Sequence, residues 1–156
     1  MPPFIREEEL SGLNQDANLS STEARKIKII TIDDEAPIRY LIRHSLRREQ
    51  YEIVEAGNGR EGLEVIRQEM PDLIVMDVVM PEMNGLETLQ AIRADVNIAH
   101  IPVLLLTGVK DTEKLNKALE TPRTDFLPKP FLVEVLKERI RKMIAEISTE
   151  GAVDSE

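Results

Sequence analysis

The sequence predicts an α/β fold of the doubly wound type, a parallel sheet with helices on both faces. Three observations carry that prediction. Short apolar runs alternate regularly with helical patterns between residues 27 and 147. Two of the runs, LIVM ahead of Asp77 and VLLL ahead of Thr107, contain no polar position, as strands buried on both faces require. Polar residues able to do chemistry stand at or just past the ends of these runs, where sheets of this kind bind ligands.

Taken in order, Lys28–Ile32 is a short apolar strand. A helix follows over Pro37–Arg48, with Ile38, Leu41, Ile42, Ser45 and Leu46 at helical spacing. Tyr51–Ala56 is rich in β-formers and reads as a strand. Gly59–Glu69 is a helix with Leu63 and Ile66 inward. Asp72–Asp77 is a strand, apolar between its terminal aspartates, that leads through a Met-Pro loop into a helix from Gly85 with Leu86, Leu89 and Ile92 on one face. Pro102–Leu106 is a further buried strand, and Asp111 is placed to cap the helix Thr112–Leu119. Phe126–Leu127 is a short strand. Leu132–Ile147 is the last and longest helix, with Val135, Leu136, Ile140, Met143, Ile144 and Ile147 as its inner stripe.

The flanks read differently. Residues 1–26 alternate charged and polar stretches with isolated apolar residues, which indicates a flexible arm with a short helix near Ile5–Leu10. Residues 148–156 read as a frayed acidic tail. Composition bounds the function. At 156 residues, 42% hydrophobic and 31% charged, the chain has one domain's worth of core, built from Ile, Leu and Val because aromatics are scarce. No stretch approaches the roughly 20 apolar residues of a membrane span, and no signal peptide is visible. The absence of cysteine excludes disulfides and thiolate zinc sites and fits a cytoplasmic location. A net charge of −9 argues against direct nucleic-acid binding, which wants a basic face.

Five polar residues carry the chemistry: Asp33 and Asp34 after KIKIITI, Asp77 after LIVM, Thr107 after VLLL, and Lys129 after DFLP. Parallel strands bring their carboxyl ends to one edge, so these side chains converge. Taken singly each has a bland reading: a helix cap and its solvated neighbour, an ordinary strand-end threonine, a tethered surface lysine. Together they differ, because three close carboxylates repel unless a hard cation or protons compensate. Magnesium fits, since it accepts carboxylates, waters and phosphate oxygens. Zinc does not, with His44 and His100 far from these junctions. A strand-end carboxylate such as Asp77 can attack phosphorus to give an acyl phosphate. Lys129 then offers a positive charge and Thr107 a hydroxyl, and Gly108 leaves room for a phosphoryl group. The Lys129–Pro130 bond is a candidate cis peptide, which would fix the lysine's direction.

These residues give the segment from Ile27 to about Ile147 a clear resemblance to the receiver domain of bacterial two-component response regulators. IDDE at 32–35, DVVMPEMNG at 77–85, Thr107-Gly108 and FLPKPF at 126–131 carry it. The resemblance implies a flavodoxin-like sheet of five parallel strands in order 2-1-3-4-5 with five helices. It implies Asp77 as phosphoacceptor, Asp33, Asp34, Asp77 and the Val79 backbone carbonyl around Mg2+, Thr107 and Lys129 on the phosphoryl group, and Thr107 with Phe126 as switch residues. Implied partners are a sensor histidine kinase or histidine phosphotransfer protein and a downstream protein target, with a homodimer as a further assembly. Chemistry is expected only on the chain itself, its own phosphorylation and slow dephosphorylation, rather than turnover as an enzyme. Arg39, Arg43 and Arg47 form an i, i+4 stripe that reads as a solvated face or as a docking surface for a phosphodonor helix bundle.

Two features depart from the family pattern. Thr121-Pro122-Arg123 replaces a small-Gly-small segment, and proline cannot take the positive φ of glycine, so the fourth helix is expected to end differently. The usual dimer geometry is therefore not carried over. In the family the positions of Val79 and Val109 flank the approach of hydrolytic water, and two apolar branched side chains there offer no acid–base help, which predicts slow dephosphorylation. Two rival functions remain. A phosphohydrolase of the haloacid dehalogenase type wants a second aspartate where Val79 stands, and a cap insertion the sequence lacks. A receiver-like interaction module not regulated by phosphorylation is the alternative. Nine residues follow Ile147, too few for an effector domain. Output is thus expected by protein contact from a stand-alone receiver, unless a domain lies downstream.

Overall fold

The computed structural model describes residues 25–108 and 112–154. The arm helix near Ile5–Leu10, Val109 and the Asp111 cap lie outside the described residues. Strands β1 (Lys28–Ile32), β2 (Glu52–Ala56), β3 (Leu73–Asp77), β4 (Val103–Thr107) and β5 (Thr124–Pro128) alternate with helices α1 (Ala36–Ser45), α2 (Gly59–Glu69), α3 (Gly85–Ala94), α4 (Thr112–Leu119) and α5 (Val133–Asp154). The strands form one parallel sheet in the order β2-β1-β3-β4-β5. The winding reverses between β1 and β3, so the switch point lies where their carboxyl ends part.

Strand alternation divides the core into two layers. Ile30, Ile32, Ile74, Met76, Val103 and Leu105 face Leu63 and Ile66 of α2, Leu89 and Ile92 of α3, and Ala118 of α4. Ile29, Leu73, Val75, Leu104 and Leu106 face Ile42 of α1, Leu46 just after it, and Leu136, Ile140 and Met143 of α5. Each side chain buried this fully contributes about 1.5–3 kcal/mol, which is why β3 and β4 tolerate no polar residue before their last position. Local signals set the helix starts. Asn58 accepts from the Glu61 amide at 2.8 Å, and Asn84 forms a reciprocal capping box with Glu87.

Three elements differ from the sequence reading by more than one residue, and two side chains differ in their facing. Helix α1 ends at Ser45 rather than Arg48, and Leu41 is 40% exposed because Ile38, Ile42 and Leu46 already fill the inward face. Val135 is likewise 40% exposed, one position off the Leu136–Ile140–Met143 face. Helix α5 continues to Asp154, so the acidic stretch after Ile147 is helical that far rather than frayed. Strand β5 is longer than Phe126–Leu127, because its backbone pairs with β4 from Thr124 to Pro128 even though most of its side chains are only half-buried.

Helix α4 ends at Leu119, ahead of Thr121-Pro122-Arg123. The left-handed residue is Arg123, at φ 58°, one position after Pro122. Its carbonyl accepts from the Val103 amide at 2.9 Å and from Arg93 Nη2 at 3.1 Å. Arg93 also donates to the carbonyls of Ala99 and Ile101 at 2.9 and 2.7 Å and to Thr124 Oγ1 at 3.0 Å. Burial pulls its guanidinium down to about 10, still charged at neutral pH. One side chain of α3 thus joins the α3–β4 loop to the start of β5. Arg93→Ala is expected to lower stability by about 2 kcal/mol, with Arg93→Lys recovering only part because a single ammonium cannot reach all four acceptors. A urea midpoint unchanged in Arg93→Ala would show that this clasp contributes nothing.

Candidate functional site

Past Ile32 the β1 ladder runs one residue further, since the Asp33 amide donates to the Ala56 carbonyl at 3.1 Å. Asp33 is buried. Its Oδ1 accepts from the Glu35 amide at 2.9 Å, while Oδ2 is buried without a partner. Asp34 beside it is exposed. Asp77 is the buried last residue of β3; Oδ2 accepts from Lys129 Nζ at 3.1 Å and Oδ1 from the Val79 amide at 3.3 Å. Oxygens of Asp33, Asp34 and Asp77 lie within 4.8 Å of one another. Thr107 closes β4 and is buried, and its carbonyl accepts from the Lys129 amide at 2.8 Å. The Lys129–Pro130 bond is cis. All five residues meet at the carboxyl edge of the sheet.

Gly85 closes the loop behind Asp77. A Cβ there would stand 2.4 Å from the Asp77 carbonyl oxygen and 2.8 Å from Val78 Cα. Only glycine permits this approach, which holds the loop against the strand end through a 2.7 Å bond from the Gly85 amide to the Val78 carbonyl.

Charge at the site is unbalanced: three carboxylates face one ammonium. Burial pushes Asp33 up to about 6, opposed by the Glu35 N–H and reinforced by the charge of Asp77. The donors are all hard oxygens and one of them is buried and unpaired, so the residues suit magnesium or calcium and not zinc. His44 is exposed and stacks on Tyr40 with ring centroids 5.6 Å apart; His100 is exposed in the loop after α3. Neither belongs to the cluster.

The other residues singled out in the sequence take varied positions. Phe126 is half-buried on β5 opposite Leu105, which shares its sheet face with Thr107 two residues on. Val79 is 60% exposed. In the arginine stripe Arg43 and Arg47 are exposed, as on a solvated face, while Arg39 is half-buried. Arg39 Nε pairs with Glu55 Oε1 at 3.0 Å and Arg43 Nε with Glu55 Oε2 at 3.4 Å, while Arg47 donates to the His44 carbonyl at 2.8 Å. Arg39 Nη1 also donates to the Asp33 carbonyl. Glu55 was not legible as a partner, because nothing in the sequence relates a β2 glutamate to helix residues before the strand order is known.

The family model described as the response regulator receiver domain matches residues 29–141. This chain is a member of the receiver-domain family. A histidine kinase of Formosa agariphila, "Histidine kinase P4", is 37% identical over 79% of the chain, which spans only 9% of that protein. Response regulator MprA of Mycobacterium leprae is 33% identical over 83% of the chain, which spans 56% of its length. Among solved structures, the Vibrio cholerae chemotaxis protein CheY4 is similar with a TM-score of 0.70 and 32% identity, covering 76% of this chain and 98% of that one. The receiver domain accounts for the described strands and helices and for the acidic edge. Among the described residues, no helix is long and apolar enough to cross a membrane.

The raised Asp33 fixes the sign of a pH effect. Between its ordinary value of 3.8 and about 6 the folded receiver domain binds more protons than the unfolded chain, so stability falls as pH rises through that window. With metal chelated, Asp33→Asn is therefore expected to be more stable than the parent at pH 7.5, by up to about 3 kcal/mol, and to match it near pH 4. Urea midpoints at the two pH values check this; a difference that does not depend on pH would refute it.

Proposed function

We propose that the chain is a phosphoacceptor switch of a two-component or phosphorelay system, taking a phosphoryl group onto Asp77. The observation that carries this reading is the 3.1 Å contact of Asp77 with Lys129 beside two further carboxylates. An Asp77 oxygen attacks the phosphorus of a phosphohistidine on a sensor kinase or phosphotransfer protein. The new O–P bond forms as the N–P bond breaks, and the imidazole nitrogen keeps the electron pair and takes a proton from solvent. Asp33, Asp34, Asp77 and the Val79 carbonyl would hold Mg2+, which would neutralise charge developing on the phosphoryl oxygens. Lys129 exchanges its Asp77 oxygen for a phosphoryl oxygen, and the Thr107 hydroxyl donates to another. Phe126 repacks as Thr107 moves, and the output is a changed protein-binding surface.

In this reading the chemistry is confined to the chain's own acyl phosphate, its formation and its slow loss, rather than turnover of a second substrate. The partners are cytoplasmic proteins, and neither nucleic acid nor membrane is engaged directly. Asp77 with Lys129 in contact favours this reading over an interaction module without phosphorylation, which would need neither.

Incubation with acetyl phosphate and Mg2+ is expected to add one phosphoryl group by intact mass, with none added in Asp77→Asn or after chelation of the metal. Exposed Val79 supplies no acid, base or water anchor, so the adduct is expected to persist for minutes or longer. Absence of the adduct in the parent chain would sink the phosphoacceptor reading. Complete release within seconds would sink the account of Val79.

A further inference from the structure

We infer that Arg39 is a positioning residue for the metal-binding carboxylates, holding the β1–α1 turn so that one oxygen of Asp33 is left to coordinate. This inference rests on the metal site proposed above. The backbone and side chain of Asp33 offer four hydrogen-bonding atoms, and three are taken within the chain. The amide donates to Ala56, Oδ1 accepts from the Glu35 amide, and the carbonyl accepts from Arg39 Nη1. Oδ2 alone is buried and unpartnered. Of the three restraints, only that on the carbonyl comes from a side chain outside the turn.

Arg39 can impose that restraint because it is itself held. Its side chain is only 20% exposed, and its Nε bonds Glu55 on β2 at 3.0 Å. Glu55 is kept in place by Arg43 from its other oxygen at 3.4 Å. The guanidinium therefore ties the end of β1 to β2 through a rigid fork, a geometry that a lysine cannot reproduce. Charge does not explain the arrangement. A cation in the opening turn of α1 opposes the helix dipole, and beside the carboxylates it would repel a divalent ion. On electrostatics alone, removing Arg39 should tighten magnesium binding. On positioning it should weaken it, as loss of outer-shell partners does by roughly 10- to 100-fold.

The opposite signs make the test decisive. Mg2+ is titrated into the full chain by calorimetry for the parent, Arg39→Ala, Arg39→Lys and Asp34→Asn, with the folded state checked by circular dichroism. On a fully folded population, affinity does not report global stability. Arg39→Ala is expected to bind at least about 10-fold more weakly. Arg39→Lys, with its charge unchanged, is expected to weaken as well, and it carries the test if the alanine variant does not fold. Equal or tighter binding in the Arg39 variants, with uptake lost in Asp34→Asn, would overturn the role of Arg39 and leave the metal site standing. No uptake by the parent, or no effect of Asp34→Asn, would overturn both.

Discussion

Three carboxylates crowded within 4.8 Å are the constraint around which the rest of this structure is arranged. At an effective dielectric of about 20, each like-charge pair at that separation costs roughly 3–4 kcal/mol. A single lysine contact with Asp77 cannot cancel that sum, and at Asp33 the charge of Asp77 adds to burial in raising the affinity for a proton. Such a cluster persists only where the scaffold is stiff enough to hold it. Here the stiffness comes from strands whose side chains are buried on both faces, anchored at the last hydrogen bond before each functional residue.

The same anchoring sets which parts of the site are fixed and which are free. Asp77 is pinned by the ladder to β4 and by the close approach of Gly85, and Lys129 is tethered through its amide to the Thr107 carbonyl. Among the described residues, the Lys129 ammonium is held only through its side-chain contact with Asp77 Oδ2 at 3.1 Å. In the proposed switch, a phosphoryl group arriving at Asp77 competes for Lys129 with the very oxygen that now holds it. A local change of partner, rather than a shift of the strands, is then the primary event.

Most of the fold could be read from the sequence because its signals are strong and local. Fully apolar runs marked β3 and β4, and Asn58 and Asn84 stand at helix starts with glutamates three residues on. The site residues were legible for a related reason: strand ends in a parallel sheet share an edge, so order along the chain translates directly into proximity. What escaped depends on tertiary registry. Leu41 and Val135 satisfy helical spacing yet lie on the shoulders of faces already filled. The arginine stripe follows helical spacing as read, but its binding to Glu55 and to the Asp33 carbonyl needs β2 beside β1, which composition and period do not specify. Arg93 was invisible for the same reason, since its acceptors are backbone carbonyls that any sequence would supply.

The Arg93 clasp also bears on how a change at the carboxyl edge could travel. It fixes the start of β5 at the amino edge, holding Arg123 in a left-handed conformation that costs an ordinary residue about 1–2 kcal/mol. With its start held there and its far end tied to Thr107, β5 has little freedom as a body. Helix α4 differs: among its described side chains only Ala118 is fully buried, with Leu115 and Leu119 half-buried. Between it and α3 lies an open groove of about 780 Å³, lined by Leu86, Leu89, Arg93, Lys114 and Lys117 among others. An element that buries so little apolar surface is held by the smallest share of the core free energy. In the proposed switch, a rearrangement of Thr107 and Phe126 would therefore meet its least resistance at α4. In that switch the Arg93 clasp at Arg123 would stiffen the strand while the helix before it stays loosely held, and the response would fall on the α3–α4 side of the sheet.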